Sequence, residues 1–346
     1  MAFEPLVSII CPSYGHERHI TETIESFLSQ TYRCIEIIVV DDKSPDASIK
    51  LVEKIKSSHL KLIRNTFNKG VSCCLNVGIK QAAGSIVTFC ASDDVLLPFH
   101  VESVVEAFGG DERIGAVYPR LEFVDENDNR TGFANVAVKD RNEILKELFL
   151  QGNYSLFAPG SSFRRQVFDR VGFFDPALIQ TQDYEFNARL LLEYDFALLD
   201  AVTVRYRRSS DSSNLSSGHE WVPICRNLES HVVFNNYLRI DSVEWYNAIF
   251  PSKTLGIAPQ TSRDIPFCLA LQAIWSSRTE LMDWGYQRIR ESLGSEEDWE
   301  HFYTTLGFEY KDYLSLYRTK FAGTEGRTGF VAKNLKRILR KLITLL

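Results

Sequence analysis

The sequence predicts an α/β protein with a mostly parallel sheet, followed by a mostly helical C-terminal region. Three observations carry this. Strand and helix patterns alternate over the first half of the chain. The strand-like runs are apolar nearly throughout, as expected where helices cover both faces of a parallel sheet. At 346 residues the chain exceeds one ordinary core and suits one large α/β domain with an appendage.

Leu6 to Cys11 reads as the first strand, ended by Pro12, and Ile20, Ile24, Phe27 and Leu28 follow at helical spacing. Ile35 to Val40 is the second strand, and the helix after it carries Ile49, Val52 and Ile55 on one side. Leu60 to Arg64 is the third strand, Val71 to Ala83 a helix ending near Gly84, and Ser85 to Cys90 the fourth strand. This βαβαβαβ order predicts parallel pairing with right-handed crossovers. A helix starts near Pro98; Ile114 to Pro119 and Leu121 to Val124 then read as strands, with a turn at Asn127 to Asn129. Arg141 to Leu150 is helical, Ser161 to Arg164 a short strand, and Thr181 to Tyr194 an amphipathic helix. Phe196 to Leu199 and Val202 to Tyr206 are late strands. Ser209 to Ser217, rich in Ser and Asn, marks a boundary. The expected domains are therefore residues 1–215 and 216–346. From Trp221 the apolar spacing is mostly helical, broken at Pro251, Pro259 and Pro266.

Composition excludes several classes. Hydrophobic content of 45% and charged content of 24% are those of a soluble globular chain. A net charge of −6 argues against nucleic acid as a partner. Seven cysteines without a Cys-x-x-Cys pair fit a reducing compartment better than a disulfide framework. No basic segment followed by an apolar core opens the chain, and no apolar run reaches the roughly 18–20 residues of a membrane span. The expected location is the cytoplasm. The tail differs from the rest: Lys333, Lys336, Arg337, Arg340 and Lys341 fall on one side of a helix, opposite Val331, Leu335, Ile338, Leu339, Leu342, Leu345 and Leu346. Two partners suit such a helix. One is an anionic membrane surface, which would make the protein peripheral on the inner face; the other is protein, either its own core or a second copy in a homo-oligomer.

Ligands of open α/β sheets bind beyond the carboxyl ends of the strands. Three polar loops fall there. Asp93 and Asp94 follow the fourth strand and offer oxygens to a hard cation such as Mn²⁺ or Mg²⁺; one of them could instead cap the next helix. Tyr14, after Pro12 and Ser13, is placed to stack on a base or to cover the first helix. Asp41 and Asp42 end the second strand, where a carboxylate accepts an imide N–H or shapes a turn. Asp46 reads as a helix cap. Asn68, Lys69 and Gly70 precede a helix and face either a phosphate or only a tight turn. Asp183, in the first turn of its helix, serves the helix dipole or acts as a general base.

Together these pieces resemble the family-two glycosyltransferases of the GT-A fold over roughly residues 5 to 210. The resemblance rests on Val7 to Tyr14, Ser29 to Tyr32, Glu36 to Ser44, Asn68 to Gly70 with Asn76 to Ile79, Ser92 to Asp94, Gly160 through Asp175, and Asp183 to Glu185. It implies inverting transfer of a sugar from a nucleoside-diphosphate donor to a glycan or lipid-linked acceptor in bacterial surface polysaccharide assembly. Uridine is favoured because a carboxylate at Asp42 can accept from the N3–H of uracil, with thymidine and guanosine as alternatives. Position by position, Tyr14 and Asp42 match base-binding residues, with Pro12 and Lys69 in the same donor set. Asp93 matches a position near the ribose, Asp94 the metal ligand, and Asp183 the catalytic base, with Glu185 as first alternative. Two departures stand out. Ala91 replaces a frequent Asp, and Leu75 a frequent Arg, which leaves Lys69 as the local cation. The segment Tyr206 to Ser209 lacks the His that sometimes completes the metal site; His219 lies further on, and Arg207 and Arg208 are candidates to neutralise the leaving diphosphate.

Two rivals remain. A sugar-phosphate nucleotidyltransferase wants a Gly-rich basic loop after the first strand, and Pro12 to Tyr14 is not one. A non-catalytic nucleotide-sugar-binding or assembly partner, using the helical C-terminal half, gains support from Ala91 and Leu75 and is opposed by Asp94 and Asp183.

Overall fold

A computed structural model describes residues 4–134, 139–153, 155–208, 220–251 and 257–321. The basic segment Val331 to Leu346, His219 and the expected boundary at 215/216 lie outside the described residues.

The first half follows the alternation in the sequence: β1 (Val7–Ser13), α1 (Ile20–Leu28), β2 (Ile35–Asp41), α2 (Ser48–Lys54), β3 (Leu60–Arg64), α3 (Val71–Gln81) and β4 (Ile86–Phe89). β1 pairs in parallel with β2 and β4, and β2 with β3. The apolar runs explain this layer, because Val7, Ile9, Cys11, Ile37 and Val39 pack on Ile20, Ile24 and Phe27 of α1. On the other face Ile38, Val40 and Cys74 meet. Gly78 shows how closely α3 approaches the sheet: a Cβ there would fall 2.3 Å from Ile10 Cγ2. Any side chain at position 78 would push α3 off β1.

The second half is mixed. It contains β5 (Val95–Leu96), α4 (His100–Phe108), β6 (Ile114–Val124), β7 (Arg130–Phe133), α5 (Arg141–Leu150), β8 (Ser162–Arg164), α6 (Val167–Val171), α7 (Gln182–Leu191), β9 (Asp195–Arg207) and α8 (Trp221–Asn236). The sheet order is β3-β2-β1-β4-β8-β6-β9-β5, with β7 beside β6. β8 runs antiparallel to β4 and β6, β5 antiparallel to β9, and β6 parallel to β9. The sheet is thus parallel over its first four strands and mixed beyond. The paired strands expected at 114–119 and 121–124, and at 196–199 and 202–206, are single strands β6 and β9. Their registers shift between Tyr118 and Arg120, where Pro119 and the Leu199–Ala201 stretch interrupt the pairing.

Contacts divide the chain into two compact units, Met1–Leu148 with Gly152–Val233, and Phe149–Gln151 with Phe234–Leu346. The second unit is helical: α9 (Val243–Ile249), α10 (Ile265–Ile274), α11 (Thr279–Ser292), α12 (Glu296–Leu306) and α13 (Tyr310–Phe321). Its core gathers Phe267, Ile289, Phe302 and Phe308. Ser295 and Asp298 form a capping box at the start of α12. Among the described residues no helix is long and apolar enough to cross a membrane.

Candidate active site

All the candidate residues sit in the first unit. Asp93 and Asp94 lie in the turn between β4 and β5. Antiparallel pairing of β5 with β9 brings Arg207 to them. The Arg207 backbone N–H donates to Asp94 Oδ1 at 2.9 Å, and its Nε donates to the Asp93 carbonyl at 2.9 Å. Its guanidinium also reaches Glu22 at 3.1 Å and Asp128 at 2.8 Å. Arg207 is buried and engaged on every side, so it braces the Asp93–Asp94 turn; the expectation that it meets a leaving diphosphate is corrected. Arg208 stacks over Phe123, 3.5 Å from the ring centre.

Asp94 keeps one oxygen unused: Oδ2 is buried without a hydrogen-bond partner. Burial, then the Asp93 charge, pushes the Asp94 carboxyl well above the usual carboxylate range, against the pull of Arg207. A buried acid that cannot comfortably hold its charge, with an idle oxygen, suits a divalent cation in place of the proton. Among the described residues no group of three or more His, Cys, Asp or Glu is assembled to hold a metal. Asp94, with Asp93 adjacent, would therefore depend on substrate oxygens and water for the rest of the shell. One neighbour gave no sequence signal: His16 Nδ1 lies 2.8 Å from Ser92 Oγ and 3.7 Å from Asp93 Oδ1.

The second loop cluster is built around Asp42. Its carboxylate accepts from Asn65 Nδ2 at 2.8 Å, from the Lys69 N–H at 2.9 Å and from the Gly70 N–H at 2.7 Å. Asp42 thus holds the loop that starts α3, and Gly70 takes the positive φ of 84° that the turn requires. The Lys69 ammonium sits 5.1 Å from the Phe67 ring centre. Tyr14 is 48% exposed, as a stacking surface must be. Asp46 accepts from the Ser48 N–H at 3.0 Å, but the N-cap of α2 is Ala47, so Asp46 closes the turn one residue ahead of the cap position expected for it.

Asp183 occupies the first turn of α7. Its Oδ1 accepts from the Tyr184 N–H at 2.7 Å, and its Oδ2 from Asn153 Nδ2 at 3.3 Å. Burial raises its pKa above the usual carboxylate value, opposed by the Tyr184 amide, Arg226 and Asn153. Glu185 is a different kind of acid. It is buried and paired with Arg189 at 2.6 Å, and Arg189 also ties the Phe173 carbonyl at 2.8 Å. Glu185 is a structural ion pair, which removes it as the alternative base. A cavity of about 100 Å³ opens beside Asp183 and is also lined by Pro12, Leu75, Ala91 and Gln182. The ends of β1 and β4 thereby meet α3 and α7.

Glu229 of α8 was not legible in the sequence. It accepts from the backbone N–H groups of Ile179 at 2.8 Å, Gln180 at 2.9 Å and Thr181 at 2.9 Å, just ahead of α7. Burial raises its pKa, but the bonds from Cys225, these amides and Thr181 outweigh it, and the net shift is downward. The stabilisation from Glu229 is therefore present above the usual carboxylate range and lost as pH falls through its lowered pKa. Glu229→Gln cannot accept the same three amides. It should lower the melting temperature and, by loosening the start of α7, reduce turnover about tenfold or more with nucleotide affinity unchanged. Wild-type melting and turnover in that variant would show that Glu229 holds nothing that matters.

Comparison with known proteins bears on the fold and the family. The model of the family described as glycosyl transferase family 2 matches residues 8–172. A Nostoc protein described as an uncharacterized glycosyltransferase is 32% identical over 175 residues, 49% of this chain and 54% of its own length. A Haemophilus influenzae protein of the same description is 29% identical over 64% of this chain and 76% of its own length, and one from Rickettsia conorii 29% over 68% and 38%. The matches thus span from about two fifths to three quarters of these relatives. Among solved structures, Staphylococcus aureus TarS 1–349 in complex with UDP-GlcNAc superposes with a TM-score of 0.56 at 18% identity, over 83% of this chain and 88% of that one. The mannosyltransferase PcManGT from Pyrobaculum calidifontis, in complex with GDP-Man and Mn²⁺, gives 0.52 at 18% identity, over 98% and 88%. The fold is GT-A. Residues 8–172 thus carry a domain of glycosyl transferase family 2.

Proposed function

We propose that the protein transfers a sugar from a nucleoside-diphosphate donor to a hydroxyl of a glycan or lipid-linked acceptor, with inversion at the anomeric carbon. One observation carries most weight: the cavity at which Pro12, Ala91 and Asp183 meet. It lies between the end of β1, the start of the acidic turn and a carboxylate whose pKa is raised by burial. Tyr14 stacks on the base and Asp42 orders the loop against it. Sharing Asp42 between a base N–H and the amides of Lys69 and Gly70 couples donor binding to the start of α3. Asp94 and Asp93 would hold Mn²⁺ or Mg²⁺, which when bound neutralises charge on the leaving diphosphate. Arg207 fixes the turn that carries both carboxylates. Asp183 accepts the proton of the acceptor hydroxyl as it attacks the anomeric carbon. The C–O bond to the acceptor forms on the face opposite the departing diphosphate.

The base is proposed to be uracil, whose N3–H suits a carboxylate acceptor. With Mn²⁺ present, UDP should raise the melting temperature more than GDP does. A shift with GDP and none with UDP reassigns the base; release of nucleoside diphosphate from the donor separates an enzyme from a binding protein.

A further inference from the structure

We infer that the cavity beside Asp183 receives the acetamido group of an N-acetylated donor sugar. The inference rests on the donor-site reading above and names the sugar class it would take. Most of the wall is apolar: Val71, Leu75, Phe89, Phe163, Phe174 and Phe186. Leu75 stands where related sequences were expected to place an arginine, so no cation enters from α3. The aromatic wall is locked, with Phe174 stacked on Phe186 at 4.5 Å and Phe89 tilted on Phe163 at 5.2 Å. The cavity therefore keeps its shape, and the group that fills it must match.

Size and polarity select the group. An apolar cavity of about 150 Å³ holds benzene, with its six heavy atoms. A cavity of about 100 Å³ suits about four, as in the nitrogen, carbonyl carbon, oxygen and methyl of an acetamide. A face bearing several sugar hydroxyls would leave them without partners. The polar groups of the lining are mostly committed: Asn187 Oδ1 accepts from the Tyr118 hydroxyl at 2.6 Å, and Ser161 Oγ donates to the Ala158 carbonyl at 2.7 Å. Asp183 is reserved for the acceptor proton. Gln182 is free to meet a ligand, because its Oε1 is buried without a partner. An acetamide offers one N–H and one C=O, so it meets a carboxamide in either orientation. Its methyl then lies against the phenyl wall. A deoxy sugar would supply the methyl and leave Gln182 unpaired.

Calorimetry with Mn²⁺ on the full chain tests this with UDP, UDP-GlcNAc, UDP-glucose and UDP-6-deoxyglucose. UDP-GlcNAc should bind about ten- to a hundredfold more tightly than UDP-glucose, the ratio set by one satisfied buried polar group. Gln182→Ala should shrink that ratio to within about threefold while UDP itself binds as before. Equal affinities for UDP-GlcNAc and UDP-glucose overturn the inference and leave the donor-site reading standing. Tightest binding by UDP-6-deoxyglucose overturns the acetamide. Loss of UDP affinity in Gln182→Ala assigns Gln182 to the fold and overturns its role. Failure of UDP to bind the wild-type protein overturns the uridine-donor reading beneath it as well.

Discussion

Replacing Asp183 by asparagine should lower turnover at least about a hundredfold, the usual contribution of a positioned base, with donor affinity little changed. Asparagine keeps the size of the side chain and still accepts from the Tyr184 N–H through its amide oxygen. It cannot take a proton. Folding should survive, because the Tyr184 N–H bond is kept and burial already disfavours the charge of the carboxylate. Steady-state transfer measured beside UDP binding separates the two roles: a fall in kcat with constant affinity is the base, and a fall in both is misfolding. Near-normal turnover would move the base elsewhere, and the Arg189-paired Glu185 is then a poor successor.

The same carboxyl sets a pH dependence. Its pKa is raised, chiefly by burial. The reactive form is the carboxylate, so turnover should fall on the acid side while pH is still above the usual carboxylate range. Asp183→Asn should flatten that limb in its residual activity. An acid limb unchanged in the variant would belong to another group.

How much of this was legible in the sequence follows from how far each signal travels along the chain. The parallel half was readable because buried strands are apolar over consecutive residues and each is followed by a helix at 3.6-residue spacing. β6 and β9 were read as broken because Pro119 and the Leu199–Ala201 stretch interrupt the pattern; the ladder absorbs both through register shifts. Two-residue β5 left no pattern at all, yet it carries Arg207 to the acidic turn. Asp93, Asp94 and Asp183 stood out because short acidic motifs sit at element ends. Glu229 could not stand out. Its partners are backbone amides 48 to 50 residues away, and an amide has no identity in a sequence. Arg207 was visible as a residue and misread as a role, since its partners Glu22 and Asp128 meet it only through the fold.

Asp94→Asn should abolish the thermal shift that Mn²⁺ gives with UDP and lower transfer by at least about a hundredfold, given that a bound cation supplies several kcal/mol of charge stabilisation. The variant is chosen because its amide oxygen still accepts the Arg207 N–H, so the turn keeps its brace. What disappears is the charge. The sign of its effect on stability runs opposite to its effect on activity. The folded-state pKa of Asp94 is raised by burial and by Asp93, so without metal its contribution is favourable below the usual carboxylate pKa and lost as pH rises through the raised one. At neutral pH the metal-free variant should therefore melt no lower than the native protein. Mn²⁺ replaces the proton at Oδ2, which is why its shift in the native protein should grow with pH across the same window. Undiminished transfer by the variant, or full activity of the native protein in excess chelator, would remove Asp94 from the reaction. A large drop in the variant's metal-free melting temperature would make Asp94 a structural residue, and the lost activity would then say nothing about a cation.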